Sequence, residues 1–322
     1  MKTAYSGARI YHDGILIEDH ALLAENGKTL AVVAAGALAL SACGSASSLE
    51  GSAPSGEALT IGSQDYYSNE IIAEAYAQAL EGAGFAVNRQ MRIGQREVYM
   101  PEVAKGTIDV FPEYTGNLLQ YLKADATETT SEDVYRALAE AMPEGLRALD
   151  QAGATDQDSY AVTGDSAQKN GLASIADLAK LGRTVKVAAN SEFATRPYGP
   201  EGLKRVYGVD AEITPVEDSG GPLTVEALTK GDVDVADIYT SSPAIDDNGL
   251  VVLQDPQNLV LPQNVVPLVS ESLNAKAVQA INAVQAALTA DELRALNKRS
   301  TGEQLDSATI AKDWLTKQGL LA

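Results

Sequence analysis

Two tyrosine-threonine pairs end the same local pattern at two places in the chain. Residues 105–115 and 230–240 match at Lys, Gly, Asp, Val, Tyr and Thr without a gap. In each copy the glycine is expected to end a helix in a left-handed cap, and the alternating residues after it are expected to enter a sheet. Tyr-Thr then emerges at the carboxyl end of the strand, the edge where open α/β sheets bind ligands. If the copies lie in separate lobes, Tyr114 and Tyr239 face each other across a cleft; the alternative is that each tyrosine only closes the top of its own sheet.

Alternating strands and helices must position these motifs. Hydrophobic periodicity predicts strands at 59–63, 85–93, 107–110, 160–163, 185–189, 212–216 and 233–238. It predicts a helix at 68–82, with Ser68 or Asn69 as its N-terminal cap, and a short helix that ends at Lys105-Gly106. Further helices are predicted at 117–122, 132–141, 174–181, 202–206, 225–230, 275–288, 291–299 and 307–318. The alternation predicts an α/β fold with parallel sheets and helices on both faces. Trp314 in the last helix is expected to pack against the first lobe.

Composition excludes several classes of chemistry from most of the chain. Both histidines, His12 and His20, precede Cys43, the only cysteine. Zinc sites of the His/Cys type and nucleophilic triads or dyads are therefore not expected after Cys43. No phosphate-binding glycine motif occurs, and the net charge of −20 opposes nucleic-acid binding. A carboxylate-only enzyme remains as an alternative because 44 acidic residues are present, but we expect no enzyme activity and no cofactor.

Cys43 follows an apolar run of twelve residues, 29–40, and two small residues, Ser41 and Ala42. The run is too short to span a bilayer, which takes about 20 residues, but it suits the core of a signal peptide. Ser41-Ala42-Cys43 resembles a bacterial lipobox, so we expect Cys43 to carry a lipid; the alternative is a short buried helix with an inert cysteine. Residues 1–43 are then an atypical, acidic extension plus a lipoprotein signal peptide. Residues 44–57, rich in Gly, Ser and Ala, form a flexible tether.

Further motifs occur in order along the chain. They are Ile61-Gly62-Ser63-Gln64-Asp65, Pro112-Glu113-Tyr114-Thr115-Gly116, Asp158-Ser159-Tyr160-Ala161-Val162, Glu192-Phe193 with Arg196, and Ala236-Asp237-Ile238-Tyr239-Thr240. This order resembles the substrate-binding lipoproteins of ABC importers for glycine betaine, choline and carnitine. The resemblance implies a two-lobed periplasmic-binding-protein fold of type II, with two crossover strands and a ligand cleft that closes by a hinge. Residues 58–161 and 256–322 would form lobe 1, and residues 162–255 lobe 2.

The resemblance also implies the partners and the location of the protein. It implies an exported monomer, lipid-anchored at the outer face of the cell membrane, that captures an osmoprotectant-type solute. The solute would pass to an ABC permease and its ATPase. The alternatives are a binding protein of the same fold for a polyol or an aromatic (polyphenolic) solute, and a surface sensor without a transport role.

A trimethylammonium group has no N–H to donate, so proteins recognise it with aromatic faces worth about 0.5 to 2 kcal/mol each. Thirteen tyrosines, against three phenylalanines and one tryptophan, suit such a cage. By motif position, the resemblance implies Tyr114, Tyr160 and Tyr239 at or beside the cleft and Asp158 near the cation. The expected polar contacts are Gln64, Asp65, Thr115, Thr240 and Arg196. The alternative for Tyr160 is that it is only a half-buried tyrosine of a strand. Arg196 would be the natural partner of a ligand carboxylate, and the alternative is that it forms an ion pair on the surface.

The sequence departs from the family pattern in the segment 261–267. Gln263 occupies a position where the family commonly has an aromatic residue, so one wall of the cage is missing. Gln263, Ser241 and Asn264 add hydrogen-bonding capacity instead, and Tyr198 is a candidate to restore an aromatic wall from another direction. These departures favour a hydroxylated or aromatic solute as the alternative ligand.

Overall fold

The computed structural model describes residues 58–321. The predicted extension and signal peptide (1–43), Cys43 and the tether (44–57) therefore lie outside the described residues. Between residues 58 and 321, none of the helices has both the length and the apolar character needed to cross a bilayer.

Strands and helices alternate along most of the described chain. The strands are β1 (Leu59–Gly62), β2 (Val87–Gln90), β3 (Val110–Tyr114), β4 (Leu146–Ala148), β5 (Tyr160–Thr163), β6 (Val185–Ala189), β7 (Ala211–Pro215), β8 (Val235–Asp237), β9 (Leu250–Val252) and β10 (Val265–Ser270). The α-helices are α1 (Tyr67–Gly82), α2 (Arg96–Ala104), α3 (Thr115–Leu122), α4 (Ser131–Ala141), α5 (Gly164–Asn170), α6 (Pro200–Tyr207), α7 (Pro222–Lys230), α8 (Ala244–Asp247), α9 (Ala275–Ala287), α10 (Ala290–Glu303) and α11 (Ser307–Lys317). Two 3₁₀ helices, Ile175–Leu181 and Ser191–Thr195, lie on either side of β6.

The strands form two five-stranded sheets, with orders β2-β1-β3-β10-β4 and β7-β6-β8-β5-β9. Within each sheet the first three strands are parallel, whereas β10 runs antiparallel to β3 and β4, and β5 runs antiparallel to β8 and β9. The expectation of wholly parallel sheets is therefore wrong. The chain crosses from the first sheet to the second between β4 and β5 and returns between β9 and β10. A strand that enters a sheet from such a crossing runs against its neighbours, which gives the two crossover strands that the resemblance implies.

Helices cover both faces of each sheet, as predicted. On one face of the first sheet, α1, α9, α10 and α11 share a core with β1 and β3, and Trp314 of α11 is buried in that core. The other face packs against α2, α3 and α4. The second sheet has a separate core on each face, one with α6 and the other with α7. The two sheets thus have independent hydrophobic cores, and the polar contacts between them lie at their adjoining edges.

The predicted strand at 107–110 is wrong, because β3 begins where that prediction ends. Residues 107–109 form a turn in which Thr107 Oγ1 donates to the carbonyl of Glu102, and Asp109 Oδ2 accepts from the backbone of Thr60. Proline normally interrupts a central strand because it lacks an N–H. Here Pro112 lies opposite Pro267 of β10, so both strands lack a donor at the same level of the ladder.

The predicted side-chain cap of α1 is also wrong. Tyr66 is the N-terminal cap residue and makes no side-chain capping bond. Asn69 Oδ1 instead accepts from the backbone N–H of Gln64 over 2.9 Å, and Ser68 Oγ donates to Asp156 Oδ2 over 2.9 Å. Both side chains are thus directed away from the helix and towards the junction between the sheets.

Candidate ligand site between the two sheets

A cavity lies between the carboxyl edges of the two sheets, and aromatic side chains form much of its wall. The aromatic residues that line it are Tyr66, Tyr114, Phe193, Tyr198 and Tyr239. Tyr114 is the last residue of β3, and Tyr239 comes two residues after β8. Each copy of the sequence repeat therefore delivers its tyrosine to the same cavity from a different sheet.

Tyr66 connects the two repeat tyrosines. Its hydroxyl donates to the hydroxyl of Tyr114 over 2.5 Å, and its ring lies 5.1 Å from the ring of Tyr239 at an angle of 59°. On the far wall, Phe193 and Tyr198 meet edge to face with their centroids 5.5 Å apart. Aromatic faces from both sheets therefore surround the cavity, the arrangement that attracts a cation through the ring quadrupoles.

Buried carboxyl groups share the cavity with these rings. The acidic residues that line it are Asp156, Asp158, Glu192 and Asp237. Asp158 Oδ2 accepts from Asn117 Nδ2 over 2.8 Å, and Asp237 Oδ1 accepts from the backbone of Ser159 over 3.3 Å. Burial, followed by the charge and hydrogen bonding of Asp158, raises the pKa of Asp237 well above its usual range. Burial also raises the pKa of Asp156 to about 6, opposed by its hydrogen bonds from Ser241 and Ser68.

Both arginines that line the cavity are bound to carboxylates. Arg96 forms two bonds to Glu113, Nε to Oε1 over 2.8 Å and Nη2 to Oε2 over 2.9 Å, and both side chains are buried. Arg196, which follows the second 3₁₀ helix, bonds through Nη1 to Oε1 of Glu97 on α2 over 2.5 Å. This ion pair joins the second sheet's half to the first. Because the charges of both arginines are matched, the four lining carboxyl groups leave the cavity with an excess of negative charge.

Amide side chains complete the lining. They are Gln64, Gln95, Asn117, Asn190 and Gln263. Gln64 is 5% exposed, and its Nε2 is a buried donor without a hydrogen-bond partner among the described residues. A buried donor without a hydrogen-bond partner destabilises the folded protein by about 1–3 kcal/mol, so Gln64 Nε2 favours a ligand that places an oxygen atom in the cavity.

Seven of the residues singled out in the sequence line this cavity: Gln64, Tyr114, Asp158, Arg196, Tyr198, Tyr239 and Gln263. Five others do not belong to its lining: Asp65, Thr115, Tyr160, Thr240 and Ser241.

The side-chain hydroxyl groups of the two repeat threonines are hydrogen-bonded to backbone groups. Thr115 Oγ1 donates to the carbonyl of Pro262 over 3.0 Å and accepts from the backbone of Asn264. Thr240 Oγ1 accepts from the backbone of Gln157 over 2.9 Å. Both threonines therefore anchor the crossover segments, and neither lines the cavity.

The other three residues that do not line the cavity, Tyr160, Ser241 and Asp65, lie beside or behind it. Tyr160 is 2% exposed and donates its hydroxyl proton to the backbone carbonyl of Tyr198, so it supports a cavity residue from within the core. Ser241 Oγ donates to Asp156 Oδ1 and accepts from Asn297 Nδ2. Asp65 is exposed and accepts from Gln95 Nε2 over 3.1 Å.

The sequence reasoning missed several lining residues, among them Tyr66, Asn117, Phe193 and Asp237. Signals for two of them are present in the sequence. Asp237 is an acidic residue inside a strand of apolar neighbours, and Asn117 lies one turn after Tyr114 at the start of α3. Gly116 between them is needed because a Cβ there would come within 2.6 Å of the carbonyl oxygen of Pro262. That close approach brings Asn117 to Gln263.

Comparisons with known proteins agree with this architecture. Residues 57–317 match the family model described as the substrate-binding domain of ABC-type glycine betaine transport systems. The glycine betaine-binding protein YehZ of Escherichia coli K12 is 27% identical over 274 residues, which cover 80% of this chain and 90% of that protein.

Two solved structures share the fold. The crystal structure of a glycine betaine/carnitine/choline ABC transporter protein is 21% identical with a TM-score of 0.66, covering 81% of this chain and 99% of the other. Apo YehZ from E. coli is 26% identical with a TM-score of 0.59, covering 82% and 100%. The resemblance and the type II periplasmic-binding-protein fold inferred from the sequence are confirmed. The chain belongs to the family of substrate-binding domains of ABC-type glycine betaine transport systems, the extracytoplasmic components that work with a permease and an ATPase.

Proposed function

We propose that this protein captures a quaternary ammonium osmoprotectant, such as glycine betaine or choline, and delivers it to its permease. The observation that carries the proposal is a single cavity that combines aromatic faces from both sheets with buried carboxyl groups. A quaternary ammonium ion has a spread positive charge and no hydrogen-bond donor, so it gains from ring faces and from nearby negative charge. Relatives described as glycine betaine-binding support the same ligand class.

The cation is proposed to lie beside Asp158, between Tyr239 and Tyr198. The other end of the ligand, a carboxylate in glycine betaine or a hydroxyl group in choline, is proposed to meet Gln64 and Arg196. Gln64 Nε2 is a buried donor ready for a ligand oxygen, and Arg196 is the arginine whose carboxylate partner, Glu97, is half exposed and can be exchanged. Gln263 belongs to this site through its bonds to Asn117 and Asp158.

Ligand entry is proposed to require hinge motion between the lobe that contains the first sheet and the lobe that contains the second. The boundary expected from the sequence, between residues 161 and 162, would divide β5, which pairs along its length with β8 and β9, so the second lobe begins before Tyr160. The cavity volume is about 30 Å³, too little for a trimethylammonium group. Gln95 Nε2 also donates to Ser219 Oγ over 3.3 Å, and the bond from Arg196 to Glu97 crosses at the same mouth. Separation of the lobes would break these two contacts, of which the first is partly buried and the second ends on Glu97, whose side chain is 52% exposed.

A polyol is the second candidate ligand. Five amide side chains line the cavity and offer donors and acceptors that a hydroxylated solute would use. A thermal-shift panel on the full chain distinguishes the two: glycine betaine, choline and carnitine should raise the Tm, whereas polyols should not. A shift with polyols alone would replace the first candidate by the second, and no shift with any quaternary ammonium compound at saturating concentration would contradict the proposal.

We also propose that the protein is a monomer held at the outer face of the membrane by a lipid on Cys43. The support is the apolar run 29–40 followed by Ser41-Ala42-Cys43. Mass spectrometry of the membrane fraction should find a mature chain that begins at an acylated Cys43, and Cys43→Ser should release the protein. An unmodified Cys43 behind an intact Met1 would contradict the anchor. Cross-linking to a permease would distinguish a transport role from that of a surface sensor.

A further inference from the structure

Two carboxyl groups in the cavity are held side by side by the backbone of the second sheet. β5 and β8 run antiparallel with Tyr160 opposite Asp237, and the Ile238 N–H donates to the Ser159 carbonyl over 3.1 Å. This pairing brings Asp158, just before β5, to Asp237, at the end of β8. Both carboxyl groups line the cavity, and their residues are only 7% and 6% exposed.

Each member of the pair is fixed from a different direction. Asn117 Nδ2 donates to Asp158 Oδ2, and the Ser159 N–H donates to Asp237 Oδ1. Neither carboxyl group can therefore swing away from the other without losing a hydrogen bond. Ionising two neighbouring carboxyl groups in a buried site is costly, so Asp237, whose pKa is raised by burial and by Asp158, is expected to hold a proton.

Among residues 58–321, no free cation lines the cavity beside the pair. Arg96 and Arg196 line the same cavity, but Glu113 and Glu97 bind them. The other titratable groups around Asp237 are Glu192, Tyr160, Tyr198, Tyr239 and Asp156. The pKa of Asp237 lies well above its usual range because of burial and of Asp158. The pKa values of the three tyrosines are also raised well above the usual range, so these side chains carry no charge near neutrality.

We propose that the Asp158–Asp237 pair retains one proton in the free protein and gives it up when a quaternary ammonium ion enters, so that capture releases a proton and strengthens as pH rises. This inference rests on the proposed function of the same cavity. The O–H bond of the Asp237 carboxyl group breaks, the proton passes to water, and the positive charge of the ligand balances the carboxylate that is left. A neutral polyol would bring no charge and would leave the proton in place.

The coupling between proton release and ligand binding sets how strongly the affinity depends on pH. When one proton is displaced, the affinity rises by up to about tenfold for each pH unit below the pKa of Asp237 in the free protein. Choline is the suitable probe, since its charge does not change between pH 5.5 and 8.5. The protein would hold a quaternary ammonium ion more weakly in acid surroundings than in neutral ones.

Isothermal titration calorimetry of the full chain with choline tests this inference. Titrations across pH 5.5–8.5, in buffers of different ionisation enthalpy, count the protons released. The expected result is up to about one proton per choline and an affinity that increases with pH. Asp237→Asn keeps a hydrogen bond to Asp158 but carries no proton to lose, so its affinity should be lower and its dependence on pH and buffer should disappear.

Two matched variants assign the proton. Asp156→Asn removes the other raised carboxyl group of the cavity, and the release should persist; loss of the release there would move the proton to Asp156 and overturn the assignment. Asp232→Asn removes an exposed aspartate of the same repeat and should match the parent protein. Binding that is independent of pH and buffer in the parent protein would overturn the inference while leaving the proposed function intact. Failure of choline, glycine betaine and carnitine to bind at any pH would contradict the proposed function itself.

Discussion

Asn117 and Gln263 bind each other in both directions: Gln263 Nε2 donates to Asn117 Oδ1 over 2.8 Å, and Asn117 Nδ2 donates to Gln263 Oε1 over 3.3 Å. Asn117 Nδ2 also reaches Asp158 Oδ2, and Gln263 Oε1 also accepts from the backbone N–H of Asp158. Through these bonds Gln263 fixes the orientation of a cavity carboxylate, Asp158.

Gln263→Leu tests whether Gln263 holds Asp158 in place. Leucine fills a similar volume at a site that is 1% exposed, but it leaves the Asp158 N–H and Asn117 Oδ1 without their Gln263 partner. Each unsatisfied group costs about 1–3 kcal/mol, so we expect a lower free energy of unfolding and a weaker affinity for choline. Urea unfolding and calorimetry measure the two effects. Gln257→Leu, an exposed glutamine of the same crossover segment, is the control. Equal behaviour of the two variants would refute the role of Gln263.

Tyr239→Ala removes the repeat tyrosine contributed by the second sheet. The loss of one aromatic face should cost about 0.5–2 kcal/mol of cation binding, which corresponds to roughly 2- to 30-fold in affinity. Tyr239→Phe keeps the ring and should stay close to the parent protein. Tyr121→Ala, a tyrosine that is 43% exposed on α3, controls for the removal of a ring elsewhere. Undiminished binding by Tyr239→Ala, measured by calorimetry, would rule out an aromatic wall at this position.

Local sequence patterns were sufficient for the strands and helices that are stabilised by near neighbours. The predictions for β5 and β6 match their observed bounds, and the three C-terminal helices begin within one residue of their predicted starts. β10 was not predicted, and its direction could not be read from local patterns because it depends on where the chain returns after β9. β3 was predicted too early in the chain; it continues through Pro112, which lies opposite Pro267.

Site residues could be predicted from the sequence where a local motif marks them, but not where their position depends on contacts between distant segments. The repeat identified Tyr114 and Tyr239, each of which follows a predicted strand, but it could not reveal that Tyr66 lies between them. That contact depends on how closely the two sheets approach. Threonines 115 and 240 were chosen as polar residues of the right motifs, yet the crossover backbone uses both hydroxyl groups. Sequence alone does not distinguish a ligand contact from a backbone anchor at such positions.

Arg196→Met tests whether Arg196 binds the carboxylate of a zwitterionic ligand. A charge-assisted hydrogen bond contributes about 1.5–3 kcal/mol, so the affinity for glycine betaine should fall by roughly 10- to 150-fold. Choline has no carboxylate and should lose only what the broken contact with Glu97 costs, which Glu97→Gln measures separately. Arg205→Met, an exposed arginine on α6, is the control. An unchanged ratio of the two affinities, by calorimetry, would show that Arg196 does not read the carboxylate.

Asp156 gives folding stability a defined pH dependence. Burial raises its pKa from 3.8 to about 6, so the folded protein holds this proton more tightly than the unfolded chain does. The resulting stabilisation is present below pH 3.8 and is lost as pH rises to about 6, a total of about 3 kcal/mol.

Asp156→Asn should not show this loss. Relative to the parent protein, its free energy of unfolding should therefore rise by up to about 3 kcal/mol between pH 4 and pH 7. Urea unfolding of both proteins at intervals of one pH unit measures the difference, and the remaining acidic residues cancel between them. A difference that stays constant over this range would contradict the raised pKa of Asp156.

The charge of the ligand is the most direct test of the cavity. Choline and its carbon isostere, in which carbon replaces the quaternary nitrogen, have almost the same shape, but only choline is a cation. Calorimetric titration of the full chain with both compounds at pH 7.5 should show saturable binding of choline and binding of the isostere at least about tenfold weaker, a difference of about 1.4 kcal/mol. Equal affinities, or binding of the isostere alone, would contradict recognition of a quaternary ammonium ion by these rings and carboxyl groups.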